Sequence, residues 1–131
     1  MTTNGKTSSA VQNDSFNDLF AAQRLNQIFL LNAGKYDDFT DVRNPEPVDD
    51  PRLCSYHVQQ LVSEIGEVLE ADKRWKNFRN DKHDAAAKAD EIADCFIVLM
   101  NIAMFSGMTG EELYAAVERK IAVVANRIKK C

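Results

Sequence analysis

The chain predicts an all-α fold, a bundle of four to five helices, on three observations. Apolar residues recur at helical spacing through four separate stretches, Gly and Pro punctuate the gaps, and no stretch alternates as a half-buried strand does. No internal repeat or low-complexity block interrupts this pattern. At 131 residues and 45% hydrophobic content the chain is large enough for one domain with its own core.

The elements follow in order. Residues 1–13 are small, polar and aperiodic and read as a flexible tail, so the domain is placed at 14–131. Gly5-Lys6-Thr7 is similar to the end of a phosphate loop, but the leading glycine and the preceding strand are both missing. A first helix is expected from about Ser15 to Ala33, carrying Phe16, Leu19, Phe20, Leu25, Ile28 and Phe29, with Gly34 as its stop. Asn44-Pro45-Glu46-Pro47 and Asp49-Asp50-Pro51 then break the pattern across 35–52, a long connection that reads as a lid or a surface strap. Further helices are expected over 53–75, 84–105 and 110–129. Gly107 ends the third, and Thr109 with Glu112 has the spacing of a capping box at the start of the fourth.

Two acidic motifs carry the chemistry: Glu64-Ile65-Gly66-Glu67 and Glu91-Ile92-Ala93-Asp94. Carboxylates three residues apart share one face of a helix, so each motif is a paired acidic claw. One such pair means little, because solvated helix faces often carry it. Two pairs mean more, and the second precedes a run from Cys95 to Phe105 that is apolar around nearly the whole helix and is expected to be buried. Carboxylates brought together at the mouth of such a helix repel one another unless a hard cation lies between them. Sites of this kind are built in bundles from side chains projecting inward from facing helices.

The donor set selects the ion. A di-iron centre of the ferritin kind needs Glu-x-x-His on two helices, whereas His57 follows Cys54 at that offset and His83 follows Asn80. Oxygen-only ligands favour Mg²⁺, with Mn²⁺ second, over zinc or iron, and hydrated hard cations commonly work on phosphates. A net charge of −4 and a pI of about 5.1 argue against a nucleic-acid-binding surface. Cys54, Cys95 and Cys131 are an odd number of cysteines, fitting reduced thiols, the N-terminus carries no apolar signal core, and no apolar run is long enough to span a membrane. A cytoplasmic protein is expected.

Glu64-x-x-Glu67, 23 intervening residues and Glu91-x-x-Asp94 together resemble the signature of the all-α nucleoside triphosphate pyrophosphohydrolase superfamily, in particular its MazG-like members. Ser63-Glu64-Ile65-Gly66-Glu67-Val68-Leu69-Glu70, Asp90-Glu91-Ile92-Ala93-Asp94-Cys95 and the turn Gly107-Met108-Thr109-Gly110-Glu111-Glu112-Leu113 are similar to that family over about residues 54–128. The resemblance implies a MazG-like bundle that forms a homodimer or homotetramer. It implies Mg²⁺ held by Glu64, Glu67, Glu91 and Asp94, and cleavage of a nucleoside triphosphate between its α- and β-phosphates. Many relatives carry Lys, Asn and Arg along the last helix; here Lys120 and Arg127 hold the outer positions and Val124 the middle one.

Substrate contacts are expected from other residues on the same faces. His57 and Gln60 lie on the stripe of Glu64 and are placed to address a base or sugar. Asn101, seven residues after Asp94, is the one strongly polar side chain in its apolar run and needs a partner, whether ligand or helix. Trp75 is able to stack on a base or cap the core, and Lys76 with Lys73, Arg74, Arg79 and Lys82 to steer phosphates or stay solvated. Two other functions remain open, a base-specific dUTPase- or dCTPase-like enzyme and a non-catalytic helical assembly module.

Overall fold

A computed structural model of the chain describes residues 8–41, 43–76 and 83–130, with side chains from residue 14 onward. Among the described residues the protein is all-helical: α1 (Ser8–Asn32), α2 (Pro51–Ala71), α3 (Ala85–Met104) and α4 (Gly110–Lys129), with a 3₁₀ turn (Lys73–Trp75) after α2 and no strand. No described helix is long and apolar enough to cross a membrane.

Local chemistry sets the boundaries. α1 starts at Ser8, seven residues before the expected cap at Ser15, since no Gly or Pro interrupts the chain between Ser8 and Gly34. It ends in a Schellman motif: Gly34 takes φ 72°, Lys35 N–H donates to Leu30 O, and Gly34 N–H to Leu31 O. α3 ends the same way at Gly107, φ 79°, with Met108 N–H donating to Ala103 O and Gly107 N–H to Met104 O. α2 begins two residues earlier than expected because Asp50 caps Arg52 and Leu53 N–H while Pro51 occupies the first turn. It stops at Ala71, short of Trp75, because Asp72 turns extended and caps the 3₁₀ turn instead. Asp84 caps α3, and Thr109 and Glu112 form the expected capping box on α4.

The connection between α1 and α2 is a pinned strap. Tyr36 and Pro47 are buried, Asp50 N–H donates to Phe105 O at 3.0 Å, and Thr40 Oγ1 donates to Asp50 Oδ2 at 2.6 Å. The strap therefore serves the core.

That core sits at one end of the molecule. Phe20, Met100, Ala103 and Met104 join α1 to α3, with Phe16 and Leu113 packed against them. Leu31, Tyr36, Leu53 and Phe105 join the end of α1, the strap, the start of α2 and the end of α3. The closest packing between elements is α2 against α3, while α4 packs mainly on α1. Among the described residues beyond His57 on α2 and before Val98 on α3, no apolar side chain is fully buried. The α2–α3 hairpin therefore projects from the core as an arm. Burial of α3 on nearly all sides, expected from its composition, does not occur: Ile92, Phe96, Ile97 and Leu99 stay exposed because α2 covers one flank of α3 and α1 packs mainly on its far end.

His57 belongs to this core. It is 4% exposed, stacks on Phe105 with rings 5.2 Å apart and 6° from parallel, and meets Tyr36 and Tyr56 edge-on. Its Nε2 is buried without a hydrogen-bond partner, and burial lowers its pKa from 6.5 to about 4. The folded state thus binds fewer protons than the unfolded chain between these values, so stability contributed by neutral His57 is present above pH 6.5 and lost as the pH falls toward 4. Urea titrations across this window should show a loss of about 3 kcal/mol attributable to His57, which His57→Phe removes. Comparing wild type with variant at each pH cancels the opposite trend of the acidic groups described below.

Candidate metal centre

The arm sets the register of the acidic motifs. Lys88 Nζ donates to Asp72 Oδ2 at 2.8 Å, and Cys54 Sγ lies 3.5 Å from Ser106 Oγ. Both pairs are symmetric about position 80, so the antiparallel helices set Glu64 level with Phe96 and Glu67 level with Ala93, within about one turn of Glu91 and Asp94. The four side chains converge: one oxygen from each of Glu64, Glu67, Glu91 and Asp94 lies within 4.8 Å of the others. Glu64 and Glu91 are half-buried, Glu67 and Asp94 exposed, so the cluster opens to solvent on one flank.

The electrostatics are those of crowded anions. Glu64 is pushed up by burial and then by the charges of Glu67 and Asp94. Glu91 is pushed up first by its hydrogen bond with Glu67, then by burial and by the three neighbouring carboxylates. Glu64 Oε2 and Glu91 Oε2 are both buried with no hydrogen-bond partner. Buried, unpartnered carboxylate oxygens that face other carboxylates need a cation or a proton. Cys95 lies beside the cluster, where burial and then the charges of Glu64, Asp94 and Glu91 push its thiol up, and the converging donors are the four carboxylates. Oxygen-only donors of mixed burial fit Mg²⁺ or Mn²⁺.

The neighbouring candidates divide. Asn101 is buried, 5% exposed, and its Oδ1 accepts from Gln23 Nε2 of α1 at 2.9 Å. Its partner is thus a helix, and Gln23 went unnoticed in the sequence although it repeats one turn later as Gln27, which bonds the Tyr36 hydroxyl. Gln60 sits one turn before Glu64 and donates to Tyr56 Oη at 3.3 Å. His57, expected on the helix surface, is enclosed in the aromatic core. Trp75 is 58% exposed, donates from Nε1 to Leu69 O and carries the Lys76 ammonium 5.6 Å above its ring. Arg74 forms a two-pronged pair with Asp72, at 2.8 and 2.7 Å, that holds the Asp72 carboxyl far below the usual range. Lys73 pairs with Glu70. These cations brace the hairpin end, and Arg79 and Lys82 lie outside the described residues. Lys120 and Arg127 are exposed on α4, where Lys120 borders an apolar surface groove with Ile121 and Val124.

Comparison with family models, with curated proteins and with solved structures finds no match for this chain.

The geometry sets an expectation for stability. Glu91→Gln and Glu64→Gln remove charge from a repelling cluster, so each should raise the melting temperature of the metal-free protein. Mg²⁺ at ~100 times its Kd should stabilise the wild type by about 2.7 kcal/mol through linkage and the double variant far less. Thermal denaturation with and without Mg²⁺ reads both effects, and an equal Mg²⁺ response in the double variant would exclude the cluster as the binding site.

Proposed function

We propose that this chain is a Mg²⁺-dependent nucleoside triphosphate pyrophosphohydrolase, converting a nucleoside or deoxynucleoside triphosphate to its monophosphate and pyrophosphate. The observation that carries this reading is the convergence within 4.8 Å of four carboxylates from two facing helices, with two buried oxygens lacking any partner. The resemblance of both motifs and of the Gly107–Leu113 turn to MazG-like proteins supplies the reaction class.

Glu64, Glu67, Glu91 and Asp94 would hold the ion. When bound, it neutralises the triphosphate and polarises the phosphorus and the attacking water. The residues of the chain do the rest. A carboxylate oxygen of the cluster that the ion leaves free would accept the proton of the water. Gln60 presents an amide one turn from Glu64 on the flank where the cluster opens, and Lys76 with the exposed Trp75 ring lies past the end of α2. The nucleotide partner, a homodimeric or homotetrameric assembly and a cytoplasmic location belong to the same reading. A base-specific enzyme for dUTP or dCTP is its narrower form.

The second reading is a non-catalytic helical assembly module, favoured by the exposed apolar stripes on the arm. It predicts neither turnover nor stabilisation by Mg²⁺.

Screening the eight standard ribo- and deoxyribonucleoside triphosphates and dUTP for pyrophosphate release separates the two. Single Ala substitutions of Glu64, Glu67, Glu91 or Asp94 should lower turnover at least ~100-fold while circular dichroism stays helical. In ¹⁸O-water the label should appear in the monophosphate and not in pyrophosphate. Release of orthophosphate and a diphosphate would overturn the assignment of the bond.

A further inference from the structure

The α2–α3 arm holds together against its own charge. Glu64 and Glu67 on one helix converge with Glu91 and Asp94 on the other to within 4.8 Å, and like charges at that range push the two helices apart. Apolar packing resists this only in part, since Val62, Ile65, Ile92 and Phe96 are exposed and Leu61 and Val68 only half-buried. A tie between the helices close to the carboxylates would hold them.

Lys88 and Asp72 form one. Lys88, one turn before Glu91 on α3, donates from Nζ to Oδ2 of Asp72, which follows Glu67 by five residues at the end of α2, at 2.8 Å. Along the helix axes the pair lies about 4.5 Å from Glu91 and about 7.5 Å from Glu67. Asp72 is 8% exposed, and Arg74 grips it from its own side at 2.8 and 2.7 Å. An ion pair on the open surface is worth little, but a buried carboxylate with two charged donors has strict geometry. Arg74 lies two residues along the same segment, so it is the bond from Lys88 that crosses between helices.

The pair stands outside the donor set. At ~100° per residue Asp72 is about 80° round α2 from Glu64 and about 140° from Glu67, while Lys88 is about 60° round α3 from Glu91 and about 120° from Asp94. Its influence on an ion therefore passes through the placement of the helices.

We propose that Lys88 and Asp72 are positioning residues of the metal centre: by tying α3 to the end of α2 they hold the four carboxylates in the register an ion requires, and ion and tie reinforce each other. This rests on the metal reading of the cluster and adds to it residues that touch no ligand oxygen. Such preorganisation shows in the affinity of the ion, because a site that must first draw its helices together binds more weakly. The sign of the effect separates it from plain electrostatics. Lys88 is a positive charge near a site for a dication, so removing the charge alone would tighten binding, whereas losing the tie loosens it.

The test is calorimetric titration of the full chain with Mg²⁺ alone, with circular dichroism and the metal-free melting temperature recorded for each variant. Lys88→Met and Lys88→Gln should stay helical and bind Mg²⁺ ~10-fold more weakly than the wild type, within the range of couplings between linked sites. Lys88→Arg, which keeps both charge and donor, should stay within ~2-fold of the wild type. A variant that melts earlier but binds Mg²⁺ as well as the wild type, or more tightly, overturns the proposal, and so does equal weakening in Lys88→Arg. If one of the two uncharged variants unfolds, the other carries the measurement; unfolding of both overturns the proposal too, because the pair then holds the fold and not the register. Failure of the metal reading looks different and removes both: the wild type itself gives neither a binding heat nor a melting shift with Mg²⁺.

Discussion

Everything distinctive about this protein hangs on the antiparallel register of α2 against α3. Slide one helix by a turn, ~5.4 Å, and the carboxylates no longer converge, nor do the apolar stripes lie level. Apolar packing does little to enforce that register, since among the described residues between His57 and Val98 no hydrophobic side chain is fully buried. Polar contacts at the two ends of the arm enforce it. Asp72 is 8% exposed and holds Lys88 across the helices while gripping Arg74 in a planar two-pronged pair. At the other end Cys54 meets Ser106, and the strap fastens Asp50 to the carbonyl of Phe105. Charged groups so held have strict geometry, which makes them better register marks than interchangeable aliphatic side chains.

The distribution of burial assigns different tasks to the two ends. At the core end aromatic rings and two Schellman turns enclose a neutral histidine, with Gln27 and Asn101 each bonded across elements and His57 Nε2 and Asn17 Oδ1 left without a partner. At the arm end four carboxylates share a space that disfavours their charge, and two oxygens have no partner. A chain selected for stability alone would not keep that arrangement, because a single Gln would relieve it. What sets the cluster apart from the unpartnered atoms of the core end is like charge: four carboxylates that could hold a metal ion share one space.

Helix existence and most ends were legible in the sequence because caps are local chemistry. Asp84, Gly107 and the Thr109–Glu112 box bound α3 and α4 within a residue, since each signal acts over three or four positions. α2 was misjudged at its end because Asp72 is compatible with a helix interior; only Lys88, sixteen residues away, makes it more valuable as a turn cap and ion-pair centre. Convergence of Glu64, Glu67, Glu91 and Asp94 was legible because spacing alone puts each pair on one face. What paired with Asn101 was not, as nothing local ties it to Gln23, seventy-eight positions earlier. His57 was misplaced for a similar reason: the strap that buries it brings Tyr36 over the helix from a segment with no periodic signal.

The apolar run of α3 shows how one sequence feature answers to two levels of structure. Its side chains point in all directions, which within a single chain demands neighbours all round, yet α1 and α2 cover only part of that circumference. The uncovered part does not fall at random. It coincides with the flank where α2 and α4 present seams of matching interval, and it avoids the flank where Glu67 and Asp94 meet solvent. An apolar face and a charged opening on opposite sides of one hairpin let the arm be covered without closing the cluster. Glu64 and Ile65, adjacent in sequence and turned about 100° apart, therefore face different sides, the one in the carboxylate cluster and the other exposed on the uncovered flank. That adjacency explains why each acidic motif carries an isoleucine between its carboxylates.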